Sequence, residues 1–308
     1  MNRQPLVSVL MNCFNGEKYL REAIDSIVAQ SYANWEIVFW DNQSTDASRE
    51  ICQSYRDERI RYFFAPQHTN LGGARDCALR QAKGDFVAVL DTDDLWMPDK
   101  LEKQMPVFDD PGVGIVISDT VFFTDEGQTR QLFQKSLPPQ GFVFDALLEN
   151  YYVSLETVVI RRSAIETLSH AFDPHLSHIS DFDLIVRLSK DWKLICVGEM
   201  LAKWRVHPSS ASWTEPGKFY EEKLKFICKM DRLPEYQGAW RRARQSFVRS
   251  TEVSEAIVWL VNGDRSVCRG LLSRHVFSSW KAAFVFGLSW LPYGDRLLLA
   301  YRQKKTMV

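Results

Sequence analysis

The sequence lacks several features that would mark a special class of protein. Its six cysteines show neither zinc-type spacing nor a dense disulfide framework. No apolar run reaches the roughly 18 to 20 residues of a membrane-spanning helix, and the first residues lack the charged-then-apolar pattern of a signal peptide. We therefore expect reduced thiols in a cytoplasmic protein.

The chain also lacks an excess of either charge. Its 308 residues include 38 Lys and Arg against 39 Asp and Glu, which gives a net charge of −1. Nucleic acid is therefore not an expected partner, because binding its phosphates needs a strongly basic surface. The length predicts a globular catalytic domain of roughly 200 residues and a smaller second part.

The first half of the chain alternates strand and helix signals. Short apolar runs over residues 6–11, 35–40, 60–64 and 86–90 predict four buried strands. Residues at helical spacing lie between these runs. This alternation predicts an α/β fold with a mostly parallel sheet and helices on both faces, in which ligands bind beyond the carboxyl ends of the strands.

Polar residues follow three of these strands, at the ends where ligands bind. They are residues 12–15 and 41–46 after the first two strands, and Asp91, Asp93 and Asp94 after the fourth. Three close carboxylates repel one another unless a cation or donors compensate them. In an extended segment Asp91 and Asp93 point to the same side, which suits Mg²⁺ or Mn²⁺. A solvated acidic loop that caps the next helix is the alternative.

Four segments, taken in order, carry a resemblance to a known family. They are VSVLMNCFN at residues 7–15, WDNQSTD at 40–46, NLGGARD at 70–76, and GD at 84–85 leading to LDTDD at 90–94. The N-terminal part, over roughly residues 5–212, resembles a family 2 glycosyltransferase with the Rossmann-like GT-A fold. We expect a GT-A catalytic domain over residues 1–214 and a helical C-terminal region over residues 215–308.

The resemblance implies contacts with a nucleotide. Asp41 resembles the aspartate that accepts a hydrogen bond from the nucleobase, as a carboxylate can from a uracil imide. Asn12 stands where the family has a small polar residue near the base, and Arg75 resembles an arginine near the base and phosphates. The family often has aspartate and glycine where this chain has Asn42 and Gln43.

The resemblance also implies a metal and a diphosphate site. Asp91 would contact the ribose or a metal-bound water, and Asp93 would bind Mn²⁺ or Mg²⁺ directly. WRVH at residues 204–207, followed by serines, resembles the family run Tyr-Arg-x-His. Arg205 would then bridge phosphate oxygens, and His207 would bind the metal or the diphosphate. Asp94 is either a residue behind the ligands or a helix cap.

A second segment supplies the candidate catalytic base. SDFDLIVRL at residues 180–188 resembles a family segment that begins Glu-Asp, with Ser180 in place of the glutamate. An inverting transfer needs a carboxylate that accepts the proton of the attacking hydroxyl, and Asp181 aligns with the family aspartate. Asp183 is interpreted as a charge at the helix start.

The implied activity is that of an inverting hexosyltransferase. It would move a sugar from a nucleotide-diphosphate donor, a UDP-sugar by expectation, to a hydroxyl acceptor in surface polysaccharide or lipid-linked oligosaccharide synthesis. A nucleotidyltransferase is an alternative, although residues 14–17 match its glycine-rich loop poorly. A binding module without activity is another, although it would not need Asp91, Asp93 and Asp181.

Two further regions leave alternatives open. His170, His175 and His178 match no common zinc motif, and we expect them in a loop near the acceptor without a metal. Residues 276–301 are rich in aromatic side chains and lead to a basic end at 302–305. They form either a core-packed helical tail or an interfacial helix that contacts the inner face of the membrane.

Overall fold

The computed structural model describes residues 4–208 and 215–305, without the side chains of residues 216 and 300–305. The chain forms two compact units, which are residues Met1–Leu147 with Tyr151–His207, and residues Leu148–Asn150 with Pro208–Val308. The expected domain boundary between residues 214 and 215 adjoins residues outside this description and stays a prediction. Ser209 and Ser210, the serines after the WRVH segment, also lie outside the described residues.

Nine strands of the described residues belong to one sheet. In chain order they are β1 (Val7–Cys13), β2 (Trp35–Asp41), β3 (Ile60–Phe64), β4 (Phe86–Val89), β5 (Leu95–Trp96), β6 (Val113–Phe123), β7 (Thr129–Gln131), β8 (Val159–Arg161) and β9 (Lys193–Arg205). Their order across the sheet is β3-β2-β1-β4-β8-β6-β9-β5, and β7 pairs with β6.

The sheet is parallel in its first half and mixed beyond it. Strands β3, β2, β1 and β4 pair in parallel, as the sequence predicts. Strand β8 is antiparallel to both of its neighbours, and β5 and β7 are antiparallel to theirs. Strands β6 and β9 pair in parallel, so the expectation of a mostly parallel sheet holds for the first four strands and for this pair. Short connections such as the one from β6 to β7 cannot cross over to a parallel partner, which takes a dozen or more residues.

Twelve α-helices complete the described part of the chain. They are α1 (Glu17–Val28), α2 (Ser48–Ser54), α3 (Leu71–Gln81), α4 (Lys100–Gln104), α5 (Phe144–Glu149), α6 (Arg162–Ile165), α7 (Ser180–Leu188), α8 (Pro216–Met230), α9 (Gln237–Val261), α10 (Arg265–Leu272), α11 (Trp280–Leu288) and α12 (Gly294–Lys305). Among the described residues, no helix has both the length and the apolar character of a membrane span.

The core of the first unit follows from the sequence pattern. All seven residues of β1 and all seven of β2 are buried, because the sheet has helices packed on both faces. Helix α1 buries Leu20, Ala23, Ile24 and Ile27, which recur at the spacing of one helical face. This packing fixes the carboxyl ends of β1, β2 and β4 at one edge of the sheet.

Two loops at this edge hold left-handed residues. Asn15 follows β1 with a φ of 54°, and Gln43 follows β2 with a φ of 72°. Gln43 occupies the place where the family often has glycine, so the loop keeps its left-handed conformation at a cost of about 1–2 kcal/mol. The side chain of Asn15 accepts a hydrogen bond from the backbone N–H of Thr45 at 2.8 Å, which ties the two loops together.

The start of α3 lies against the loop that leads into α7. A Cβ built on Gly72 would lie 2.0 Å from the carbonyl oxygen of Leu176 and 2.4 Å from that of Asp173. The side chain of Asn70 donates to the carbonyl of Pro174 at 2.6 Å. Only a residue without a side chain permits this close approach of the two backbones.

We expect Gly72→Ala to lower the free energy of unfolding by about 1–3 kcal/mol, the usual cost of overpacking. Gly270→Ala is the matched control, because a Cβ at Gly270, within α10, meets nothing within 4 Å. The control should keep or gain stability, since alanine favours a helix by about 1 kcal/mol over glycine. Urea unfolding of both variants measures the difference, and equal stability of Gly72→Ala and the parent would refute the packing argument.

Candidate active site

The carboxylates after β4 form a tight turn, called here the acidic turn (residues 91–94). Its backbone closes through a hydrogen bond from the N–H of Asp94 to the carbonyl of Asp91 at 3.2 Å. The side chains of Asp91 and Asp93 are 36% and 30% exposed, whereas Asp94 is buried. Two of the three carboxylates are therefore accessible to a ligand.

Arg75 compensates the first carboxylate. Its Nη2 donates to both oxygens of Asp91, at 3.0 and 3.2 Å, and its Nη1 donates to Ser180 Oγ at 3.1 Å. Arg75 is buried, and within the described part of the chain its Nε has no hydrogen-bond partner. A buried guanidinium is stable only beside an anion, so this ion pair joins α3, the acidic turn and the first residue of α7.

The structure brings Asp93 and His207 together, as the sequence resemblance implies. His207 Nε2 lies 2.9 Å from Asp93 Oδ2, and the His207 ring packs beside Tyr19. Burial, followed by the neighbouring charge of Asp91, raises the pKa of Asp93. Carboxylate oxygens and an imidazole nitrogen are ligands that Mn²⁺ accepts. The raised pKa means that the charged form of Asp93 is destabilised here, and a bound cation would offset that cost.

Asp94 belongs to a buried layer beneath the turn. Its Oδ1 accepts a hydrogen bond from the backbone N–H of Arg205 at 2.9 Å, so it anchors the turn to β9 and does not cap α4. Burial, and then the nearby Glu156 carboxyl, raises the pKa of Asp94 well above its usual range. Glu156 is itself buried, with its carboxylate accepting from Ser154 Oγ at 2.7 Å. Glu156 carries no sequence signal for this position, because it is a lone acid in an otherwise apolar stretch.

Arg205 lies beside the turn and uses three of its five N–H donors there. Its Nη1 donates to Asp125 and its Nη2 to Glu22, both at 2.7 Å, and its Nε donates to the carbonyl of Asp93 at 3.0 Å. The guanidinium also stacks on the Tyr19 ring at 4.1 Å. In this arrangement Arg205 stabilises the acidic turn. Its contact with a diphosphate stays a prediction, for which Nη1 and Nη2 each have a second N–H.

The two residues predicted to bind the nucleobase differ in the hydrogen bonds that they already make. Asp41 is fully buried, and its oxygens accept hydrogen bonds from the Ser44 N–H and the Tyr62 hydroxyl, each at 2.7 Å. Asn12 is also buried, yet in the described part of the protein both polar atoms of its amide lack a hydrogen-bond partner. A buried amide without partners is costly, so a ligand that hydrogen-bonds to Asn12 would relieve that cost.

An aromatic side chain beside Asn12 was missed by the sequence analysis. Phe14 is 54% exposed, and its ring meets that of His68 edge-on at 4.5 Å. An exposed phenyl ring in a loop at the ligand-binding edge offers a stacking surface for a flat group. The one sequence feature that points to Phe14 is its place in the VSVLMNCFN segment, which follows the first strand into this loop.

Asp181 lies in the first turn of α7. It is partly exposed, and the hydroxyl of Tyr151 donates to its Oδ2 at 3.4 Å. Burial raises the pKa of Asp181, and the positive charge of Arg75 opposes that rise. A carboxylate with a raised pKa is a stronger proton acceptor. Tyr151 carried no sequence signal, because its contact depends on the tertiary fold.

The other acidic residue of α7 has a structural role. Asp183 is buried and pairs with Arg187 Nη2 at 2.7 Å, and Arg187 Nη1 donates to the carbonyl of His170 at 2.8 Å. His170, Asp173 and Asp183 nevertheless place possible ligand atoms within 4.8 Å of one another. Since Arg187 already provides a cation there, the acidic turn fits a metal better.

Comparisons with known proteins identify the family of the chain. The family described as Glycosyl transferase family 2 matches residues 8–168, more than half of the chain. A relative from Escherichia coli, UDP-Glc:alpha-D-GlcNAc-diphosphoundecaprenol beta-1,3-glucosyltransferase WfgD, is 29% identical over 71% of this chain and 88% of its own length. The putative teichuronic acid biosynthesis glycosyltransferase TuaG of Bacillus subtilis is 30% identical over 68% of this chain and 83% of its own.

Solved structures show the same fold. Residues 1–349 of S. aureus TarS, in complex with UDP, match 97% of this chain and 91% of that one with a TM-score of 0.61 at 16% identity. The mannosyltransferase PcManGT of Pyrobaculum calidifontis, in complex with GDP-Man and Mn²⁺, matches 97% of this chain and 84% of that one, also with a TM-score of 0.61 at 16% identity. At these identities the likeness shows the fold alone.

The expected fold and family are therefore confirmed. The sheet with its flanking helices and helical C-terminal region is the GT-A architecture of these structures. The family match favours glycosyl transfer over the nucleotidyl transfer that the sequence left open. The chain belongs to glycosyl transferase family 2.

Proposed function

We propose that this glycosyltransferase is metal-dependent and inverting, and that it moves a sugar from a UDP-sugar to a hydroxyl of a lipid-linked saccharide. The observation that carries the proposal is the contact of Asp93 with His207, 2.9 Å apart, beside the pair of Asp91 with Arg75. This arrangement concentrates negative charge at the carboxyl ends of β1, β2 and β4. The buried guanidinium of Arg75 compensates the charge of Asp91. Such a site suits a metal-bound diphosphate.

The proposed donor is a nucleotide held by both loops at the sheet edge. The Asn12 amide can both donate to and accept from a nucleobase, and the exposed Phe14 ring can stack on it. Asp41 keeps a second lone pair on each oxygen for an imide N–H. WfgD is named for UDP-Glc and the TarS structure contains UDP, whereas PcManGT contains GDP-Man. These names favour UDP without deciding the sugar.

The proposed metal ligands are Asp93 and His207, with Asp91 close by. When bound, Mn²⁺ or Mg²⁺ would supply positive charge for the diphosphate that leaves. The chain's own part is to hold these ligands in place. Arg75 fixes Asp91, Asp94 ties the turn to β9, and Arg205 binds the carbonyl of Asp93.

The proposed base is Asp181. It accepts the proton of the acceptor hydroxyl while that oxygen bonds to the anomeric carbon and the bond from that carbon to the diphosphate breaks. Attack from the side opposite the leaving group inverts the configuration. The Tyr151 hydroxyl engages Oδ2, which leaves the other oxygen for the acceptor. Tyr151 is therefore a positioning residue.

The proposed acceptor is a saccharide on a lipid carrier. WfgD is named for an acceptor with GlcNAc on diphosphoundecaprenol, and TuaG is named for teichuronic acid biosynthesis. These names support synthesis of a surface polysaccharide or of a lipid-linked oligosaccharide. Each such reaction needs a saccharide hydroxyl beside the donor, and Asp181 is the base proposed to activate it.

We expect Asp93→Ala to abolish the effect of Mn²⁺ on donor binding. Loss of one ligand weakens UDP binding in the presence of Mn²⁺ by at least about tenfold, and binding without metal stays as in the parent. Asp109→Ala, at an exposed aspartate remote from the acidic turn in sequence, is the matched control. Isothermal titration with UDP, with and without MnCl₂, gives the answer, and an undiminished Mn²⁺ effect in Asp93→Ala would remove the metal assignment.

We expect Asp181→Asn to bind UDP as the parent does but to transfer sugar about 10²- to 10⁴-fold more slowly, because the amide cannot accept the proton. Transfer to a synthetic GlcNAc-diphospholipid, with UDP-glucose as donor, measures the rate. Asp191→Asn, at an exposed aspartate just beyond α7 that pairs with Lys190, is the control. A parental transfer rate in Asp181→Asn would exclude it as the base.

We expect transfer to fall as the pH drops through the pKa of Asp181, which burial raises above its usual range. Tyr151→Phe removes a hydrogen bond to the carboxylate, and because such bonds favour the charged form, the pKa of Asp181 should rise further. The acidic limb of the kcat profile should therefore move to higher pH. Tyr152→Phe is the control, since the Tyr152 hydroxyl bonds to the carbonyl of Pro139. An unmoved limb in Tyr151→Phe would show that Tyr151 does not tune the base.

A further inference from the structure

The segment from α10 to α12 is basic, whereas the rest of the chain is acidic. Residues 265–305 include eight Lys and Arg and one acidic residue, Asp295. Because the whole chain has a net charge of −1 and this segment has +7, the remaining residues carry −8. The near-neutral total therefore hides a strong separation of charge along the sequence.

Helix α11 within this segment is apolar on two sides. Ala282, Val285 and Leu288 are buried in a cluster with residues of α9 and α10. Trp280 and Phe284, one turn apart on another side, are 71% and 45% exposed. A helix on the surface of a globular domain normally has polar side chains opposite its buried face, whereas α11 has a largely exposed Trp280 ring there.

More exposed aromatic side chains flank α11, and basic side chains accompany them. The exposed aromatic group consists of Phe277, Trp280, Phe284, Trp290 and Tyr293, each at least 45% exposed. The guanidinium of Arg269 lies 4.1 Å from the centre of the Trp290 ring, and that of Arg296 lies 5.6 Å from the Tyr293 ring. Apolar rings and cations therefore alternate along the same stretch of surface.

We propose that the exposed aromatic group docks on the surface of an anionic lipid bilayer. Trp and Tyr are enriched where headgroups meet acyl chains, and Lys and Arg bind anionic headgroups. A helix with exposed aromatic residues and basic neighbours lies in that interface without crossing the membrane. A second copy of the chain fits less well, because it would bring two segments of charge +7 together. This inference goes beyond the proposed function, since docking needs neither donor nor base.

The test is co-sedimentation of the full chain with lipid vesicles. Mixed phosphatidylglycerol–phosphatidylcholine vesicles should bind the chain at least about tenfold more strongly than vesicles of pure phosphatidylcholine. Each basic residue near an anionic surface adds to the free energy of binding. The double variant Trp280→Ala and Phe284→Ala should lose about tenfold or more of this binding, and Lys281→Glu should also weaken it. Phe142→Ala and Lys135→Glu are matched controls at exposed positions in the first unit and should bind as the parent does.

Three results would overturn the inference. The first is equal binding to anionic and neutral vesicles, and the second is undiminished binding by the double variant. The third is a parent chain that binds no vesicles but forms a dimer in light scattering, together with a double variant that is a monomer. UDP binding by each variant is measured in parallel. Lost vesicle binding with intact UDP binding supports the docking surface, whatever the outcome for metal and base.

Discussion

Mutual repulsion among the carboxylates after β4 is the constraint on which the rest of the site depends. Arg75 neutralises Asp91, and His207 contacts Asp93. Negative charge remains at the open edge of the sheet, where a divalent cation and its diphosphate would be stabilised.

The contacts of Arg75 also connect the proposed donor side of the site to the proposed acceptor side. Arg75 reaches from α3 to the acidic turn and to Ser180, the residue before the proposed base. The close approach at Gly72 holds the loop before α7 against α3. The position of Asp181 relative to the turn is thus set by contacts that do not involve substrate, which is the preorganisation that proton transfer requires.

Local patterns predicted what depends on local structure. The apolar runs gave β1, β2, β3 and β4, and the order of the polar segments gave the family and the GT-A fold. Contacts between distant parts of the chain were not predictable. The family resemblance assigns Arg205 to a phosphate, yet the structure pairs it with Glu22 and Asp125, which are far from it in the chain. Glu156 and Tyr151 join the site only through tertiary packing, and the antiparallel strands follow from connections whose partners the pattern does not specify.

A crystal structure with UDP and Mn²⁺, with diffraction data collected at the manganese absorption edge, tests the central claim most directly. The account predicts an anomalous peak in contact with Asp93 and His207 and with the UDP diphosphate. A peak among His170, Asp173 and Asp183, or a diphosphate bound away from the acidic turn with no manganese beside it, would contradict the account.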